Sequence, residues 1–301
     1  MKYRKLGNTG LDVSVLSYGA SSLGSVFRDI NEAEGIKTVH EAVDQGINLI
    51  DVSPYYGLTK AERVLGKALK EIPRDQYLLS SKAGRYGEDV FDFSKQSILT
   101  SVENSLNRLD TDYLDFLFLH DIEFGSFEEV MEEGIPALHH LKEQGKIRYF
   151  GVSGLPLSIF ERVLEQTDLD VILSYCHYTL NDQTLLDIIP LLEAKEVALI
   201  NASPLSMGLL GTRGAPKWHP AGEDIKRACQ QALLHCEKQG ENLSKLAIQY
   251  AISNEHIPTT LVSTASIDNI RNNIKWVNEP INEHLLKDVL EILAPIRNKT
   301  W

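Results

Sequence analysis

Short apolar runs alternate with amphipathic stretches along almost the whole chain. Val15–Ala20, Ile47–Asp51, Tyr77–Lys82, Tyr113–His120, Lys146–Val152, Val171–Tyr175, Val197–Ala202 and Thr260–Ser263 read as strands. Between and after them, helical periodicity predicts helices over Asn31–Gln45, Lys60–Lys70, Ser94–Leu109, Ser126–Gln144, Leu157–Glu165, Asp182–Ala194, Gly222–Gln239 and Ser266–Trp276. Strands that are apolar along their whole length are buried on both faces, as in a parallel sheet covered by helices. Eight strand–helix units in succession predict an α/β chain closed into one (β/α)8 TIM barrel, rather than an open doubly wound sheet. Lys2–Val13, turning at Gly7–Gly10, predicts an N-terminal β-hairpin under the barrel; Asn282–Leu293 predicts an extra C-terminal helix. With no linker or low-complexity stretch, residues 1–301 read as a single domain.

Charge and cysteine content narrow the function. A net charge of −12 gives no basic face for a phosphate backbone, which argues against nucleic-acid binding. The sequence has no apolar run of membrane-spanning length, and the opening residues lack the apolar core of a secretory leader. Cys176, Cys229 and Cys236 are odd in number and form no C-x-x-C pair, so neither a disulfide framework nor a metal site is expected. The expectation is a cytoplasmic protein, monomeric or weakly dimeric, with a small-molecule partner.

The candidate chemistry sits where the strands end. The second strand ends at Asp51, with Tyr56 in the following loop; the third ends at Lys82 and the fourth at His120. In a barrel these C-terminal ends converge on one mouth. Each residue alone has a plain structural explanation: a cap, a packing ring, a surface ammonium, a satisfied imidazole. Together they form a coherent set. An ordinary tyrosine, with a pKa of about 10, is a poor acid–base catalyst near neutrality. An adjacent ammonium favours the phenolate, so Lys82 is expected to lower the Tyr56 pKa, with Asp51 pairing to Lys82. His120 is then placed to orient a carbonyl or hydroxyl oxygen. Such a site suits hydride transfer to or from a cofactor. The loops at Ala83–Phe93 and Ser203–Ala221 are longer than a barrel needs and are candidate ligand loops.

At these residues the chain resembles the aldo-keto reductase family. The resemblance is carried by Gly46–Gly57 with Asp51 and Tyr56, by Leu106–His120, by Gly145–Ser153, by Ser203-Pro204-Leu205 with Gly208, and by Ser266–Asn273. It implies that Tyr56 is the general acid/base, Lys82 its partner, Asp51 the support of Lys82, and His120 the substrate orienter. It also implies a nicotinamide dinucleotide bound without a Rossmann fingerprint, and the chain has no G-x-G-x-x-G. The residues so implied in cofactor binding are Ser21, Asp51, Ser153 and Tyr175 near the mouth. Ser203, Pro204, Leu205 and Gly208 would lie under the pyrophosphate, with Ser263, Ser266, Asn269 and Asn273 at the adenosine end.

Three positions depart from the usual family pattern: Gly154 stands for Asn, Tyr175 for Gln and Ala202 for a stacking aromatic. With Leu173–Tyr178, Lys217–Pro220, His120–Gly125 and Asn298–Trp301 they resemble the branch of aldose 1-dehydrogenases. That branch implies oxidation of the anomeric C1 of an aldose, with L-galactose first among the expected sugars, giving the lactone, and L-fucose and D-arabinose next. Neutral Ser263 and Asn269 stand where family members that prefer NADP carry cations, which favours NAD over NADP. His120, Asp121, Tyr178 and Trp218 are the candidate sugar contacts. Two alternatives stay open: an NADPH-dependent carbonyl reductase, and a dinucleotide-sensing subunit with little turnover.

Overall fold

The structure, a computed structural model, describes residues 1–301 except residue 27. An antiparallel hairpin comes first, β1 (Tyr3–Lys5) and β2 (Asp12–Ser14). Then follow β3 (Leu16–Gly19), β4 (Leu49–Asp51), β5 (Leu78–Ala83), β6 (Leu114–Leu119), β7 (Ile147–Gly154), β8 (Val171–Tyr175), β9 (Ala198–Ala202) and β10 (Thr259–Ser263). These eight are parallel to their neighbours and close into the expected barrel, β10 pairing with both β3 and β9.

Alternation along each strand divides the core in two. Leu49, Phe116, Phe118, Val171, Leu173, Ala198, Ile200 and Leu261 fill the barrel interior. Their odd-even neighbours, among them Ile50, Leu79, Leu117, Ile172 and Leu199, face the helices. This parity also fixes the mouth. Asp51 tops the inward row that begins at Leu49, Lys82 follows Ser80, His120 follows Phe118, and Tyr175 follows Leu173. The hairpin closes the other end. Leu6 and Val13 are fully buried in the interior cluster. Gly7 turns there at φ +49, where an added Cβ would lie 2.9 Å from the Ala198 Cα.

The helices are α1 (Glu32–Asp44), α2 (Lys60–Leu69), α3 (Lys95–Leu109), α4 (Phe127–Glu129), α5 (Ile135–Glu143), α6 (Leu157–Leu164), α7 (Leu185–Ala194), α8 (Glu223–Lys238), α9 (Leu243–Ser253), α10 (Ile267–Val277) and α11 (Glu283–Leu293). Asn31, Ser94, Asn242 and Asn282 cap α1, α3, α9 and α11 by accepting from backbone N–H groups. The helix expected over Ser126–Gln144 is divided by a π turn at Val130–Gly134.

One assignment needs correction. The stretch Gly222–Gln239 does form a helix, α8, but it does not serve as the barrel's seventh helix. That place belongs to α9, which adjoins β10 and α10. Helix α8 packs instead on α11 in a satellite core with Ile225, Cys229, Leu233, Leu285 and Val289. An apolar stripe reveals that a helix face is buried, not which partner buries it. Among the described residues no helix is long and apolar enough to cross a membrane.

Candidate active site

Strand parity brings Asp51, Lys82 and His120 to one rim, and the loop after β4 adds Tyr56. Lys82 is 2% exposed, and its ammonium donates to Asp51 Oδ2 at 2.5 Å and to the Val52 carbonyl at 3.0 Å. Ser80, one alternation below Lys82, donates to Asp51 Oδ1 at 2.8 Å. Both carboxylate oxygens are thus satisfied, which a buried ion pair requires to be tolerable. Burial opposes the Lys82 charge, but Asp51 and Tyr56 hold its pKa above the usual lysine range.

The Lys82 Nζ lies 5.0 Å from the centroid of the Tyr56 ring. Lys82 acts in the expected direction, but its effect is outweighed. Burial pushes the phenol up to about 12; Lys82 pulls it down, and Asp51 and Asp121 push it further up. Desolvation outweighs the ammonium because Asp51, only 2.5 Å from Lys82, offsets much of its field. Tyr56 therefore stands as a neutral phenol at neutral pH.

The Tyr56 loop is seated by a close backbone approach. Gly57 has φ +62, and an added Cβ would lie 2.0 Å from the Gly24 carbonyl oxygen. Gly57→Ala is expected to displace Tyr56 and to lower kcat by about 10²-fold, through misplacement rather than lost chemistry. Turnover within a fewfold of the parent, measured alongside thermal melting, would show that the loop tolerates the shift.

His120 and Tyr56 meet edge to face, with centroids 5.7 Å apart at 90°. His120 Nδ1 lies 3.0 Å from Ser53 Oγ, which accepts from the Tyr55 N–H. Ser53 can then donate to Nδ1, leaving the proton on Nε2, which faces Asp121 Oδ2 at 3.5 Å. Burial, reinforced by Lys82 and Arg85 and opposed by Asp121, holds the imidazole down to about 3. His120 is a neutral donor across the working pH range.

Asp121 continues the rim in a left-handed conformation at φ 52. Arg85 holds its Oδ2 at 2.5 Å, and the Arg85 guanidinium lies over the Tyr55 ring. Trp218 is 53% exposed on the loop after β9 and stacks on His219. His219 anchors that loop through the Ser206 carbonyl, with Trp301 against its edge. Tyr178 is not brought to the mouth. It is buried beneath the barrel wall, stacked on Tyr250 of α9, and its hydroxyl accepts from Asn254 at the far end of that helix. The chain turns sharply after β8 at Cys176, φ 66, and alternation no longer decides direction.

The dinucleotide candidates line the rim from β7 round to β3. Ser153 donates to the Leu119 carbonyl below His120, and the Asp121 N–H donates back to it. Tyr175 ends β8 with its hydroxyl buried near Asp121 and Glu123, which raise its pKa beyond what burial does. Beyond Ser203-Pro204-Leu205, residues Ser206, Met207 and Gly208 all have positive φ. The Ser206 and Gly208 amides close this turn onto the Ser203 and Leu205 carbonyls, at 2.9 Å each. Ser266 caps α10 without a side-chain hydrogen bond to it, which leaves the first amides of that helix for a ligand. The Ser263 hydroxyl joins those of Ser21 and Ser22 at 2.9 and 2.8 Å. Asn269 reaches Thr264 Oγ1, and Asn273 is buried nearby on the same helix. Arg271 is turned to Glu41 on α1 at 2.7 Å. These groups fit a dinucleotide: donors for the phosphates and uncharged hydroxyls at the adenosine end.

Ser53, Ser80, Arg85 and Glu123 were not singled out from sequence. Ser80 was legible, since i and i+2 share a strand face. Arg85 meets Asp121 across two loops, which no local pattern reveals.

Among the described residues no group of three metal-ligating side chains occurs. The Aldo/keto reductase family model matches residues 15–294. The L-galactose dehydrogenase of Arabidopsis thaliana is 47% identical over 100% of this chain and 97% of its own length. The D-arabinose 1-dehydrogenase of Saccharomyces cerevisiae is 37% identical over 80% of this chain and 76% of its own. An aldo-keto reductase of Bacillus halodurans in its holo form superposes with a TM-score of 0.82 at 27% identity, covering 100% of this chain and 98% of that one. The barrel, the buried Asp51–Lys82 pair beside Tyr56 and His120, and these likenesses agree: the chain belongs to the aldo/keto reductase family and is an oxidoreductase that works with a nicotinamide cofactor.

Proposed function

We propose that this protein is an NAD-dependent aldose 1-dehydrogenase that oxidises the anomeric C1 of L-galactose to the lactone. The observation that carries the reading is the mouth itself: a neutral imidazole donor with the Asp121 carboxylate beside it, and a phenol next to a buried ammonium. Full-length similarity to an L-galactose dehydrogenase supports the choice of sugar.

A nicotinamide held at this mouth would supply the hydride acceptor for C1. His120 Nε2–H donates to the C1 oxygen and fixes its orientation. Tyr56 takes the C1 hydroxyl proton, and Lys82 stabilises the phenolate form that does so. Because burial holds the phenol at about 12, the phenolate fraction rises about tenfold per pH unit, so oxidation is favoured at alkaline pH. The same neutral phenol is the proton donor for the reverse reaction. The uncharged Ser21–Ser22–Ser263 cluster, and the pairing of Arg271 with Glu41, support NAD over NADP. We infer cytoplasmic residence, in keeping with three buried free cysteines, and a monomer or weak homodimer.

The test is the rise in reduced-nicotinamide absorbance with NAD+ or NADP+ and L-galactose, L-fucose, D-arabinose or D-galactose. L-galactose with NAD+ is expected to give the highest kcat/KM. Aldehyde reduction by NADPH, with silence on every sugar, would replace this reading with that of a carbonyl reductase.

A further inference from the structure

We infer that Glu123 is a substrate-specificity residue that, with Asp121, seats hydroxyl groups of the sugar. The inference deepens the aldose reading and rests on it.

Glu123 lies on the short turn Ile122–Phe124 that follows His120 and Asp121. One carboxylate oxygen, Oε1, accepts the Leu155 N–H at 2.8 Å. The other, Oε2, is buried and has no hydrogen-bond partner among the described residues. Asp121 repeats the arrangement. It is 4% exposed, Arg85 satisfies Oδ2, and Oδ1 is buried without a partner. Two carboxylates two positions apart in sequence thus each spend one oxygen on the protein and leave the other without a partner. They do so at the rim that carries His120, whose Nε2 is 3.5 Å from Asp121.

Gly154 makes the arrangement possible. A Cβ there would lie 2.7 Å from Glu123 Oε2 and 3.1 Å from Ile159 Cγ2. The absent side chain at the end of β7 is the space that the Glu123 carboxylate fills. The departure at Gly154 and the placement of Glu123 are one feature.

A buried polar atom with no partner opposes folding and is expected to have a functional reason. Burial lifts the Glu123 carboxyl to about 7, against the Leu155 N–H; Asp121 adds to the lift, and Arg85 opposes it. A bare acceptor of this kind calls for an O–H or N–H donor from a ligand. The hydroxyls of a polyol supply such donors. An aldehyde with an apolar body leaves both oxygens unpaired and bears their desolvation cost, which is how a polar site rejects ligands lacking a hydroxyl.

The experiment is steady-state kinetics of the full chain on L-galactose and its monodeoxy analogues at saturating NAD+, with NAD+ Kd from fluorescence quenching. E123Q keeps the acceptor for Leu155 but replaces the free acceptor with a donor. It is expected to raise KM for L-galactose about 10- to 100-fold while kcat changes less than about threefold. NAD+ Kd stays the same. One deoxy analogue, poor for the parent, is expected to be hardly worse for E123Q, because the hydroxyl and the carboxylate are partners. G154A, which pushes on the carboxylate from below, is expected to raise KM in the same direction. An unchanged KM in both variants, or a rise that is equal for every analogue and accompanied by weaker NAD+ binding, would overturn the assignment while leaving the aldose reading intact. A parent enzyme silent on all aldoses yet active on simple aldehydes would overturn the aldose reading first, and this one with it.

Discussion

Tyr56→Phe is expected to lower kcat by about 10³-fold or more while NAD+ binds within a fewfold of the parent affinity. The substitution removes one oxygen and keeps the ring that meets His120 edge to face. The loss therefore reports proton transfer rather than packing. The pH dependence sharpens the test. In the parent, kcat/KM for oxidation rises through the alkaline range, above the titration of Glu123 at about 7, because the phenol, pushed up to about 12, ionises further with each step. His120, held down to about 3, does not titrate in that range and contributes no slope there. In the Phe variant the residual rate is expected to be flat with pH across that alkaline range. Turnover within about tenfold of the parent, or an unchanged slope, would remove Tyr56 from the role of acid–base group.

Lys82→Met has the second largest expected effect, and it falls on stability as well as rate. The substitution leaves Asp51 buried, with Ser80 donating to one oxygen and nothing replacing the ammonium at the other. Breaking one side of a buried ion pair costs about 3–5 kcal/mol, mostly for the stranded charge. The variant is expected to melt well below the parent and to lose most of its activity. The pair Asp51→Asn with Lys82→Met separates the two effects. Removing both charges should restore much of the stability, because a buried pair replaced by neutral groups is close to neutral in energy. Activity should not return, since the Tyr56 phenolate still lacks its cation. A double variant that is stable and as active as the parent would show that Lys82 serves the fold alone.

Several features were written in the sequence because local physics decides them. Continuous apolar runs ending in Asp51, Lys82 and His120 announced parallel strands with a polar rim, and closure followed from having eight such units. Capping residues such as Asn31, Ser94 and Asn282 marked helix starts where the structure puts them. Strand parity alone sufficed to bring Asp51, Lys82 and His120 together.

Other features required the assembled molecule. Which helix serves the seventh unit was decided by packing: α9 is buried along most of its length and lies against β10 and α10, whereas α8 buries one face against α11. Tyr178 looked like a mouth residue by position, but the reversal at Cys176 sends its ring under the wall. The Tyr56 pKa was read from one neighbour, Lys82, whereas burial is a property of every surrounding atom and wins. Glu123 is the fullest case. In sequence it is one acidic residue among 42 Asp and Glu. Its bare oxygen, and the vacancy at Gly154 that admits it, exist only once β6 and β7 lie side by side. The sequence by itself determined the elements, the closed barrel and the identity of the polar rim, because periodicity and strand alternation are local. The tertiary structure decided protonation, side-chain partners and unpaired atoms, because desolvation and contact depend on residues far apart in the chain.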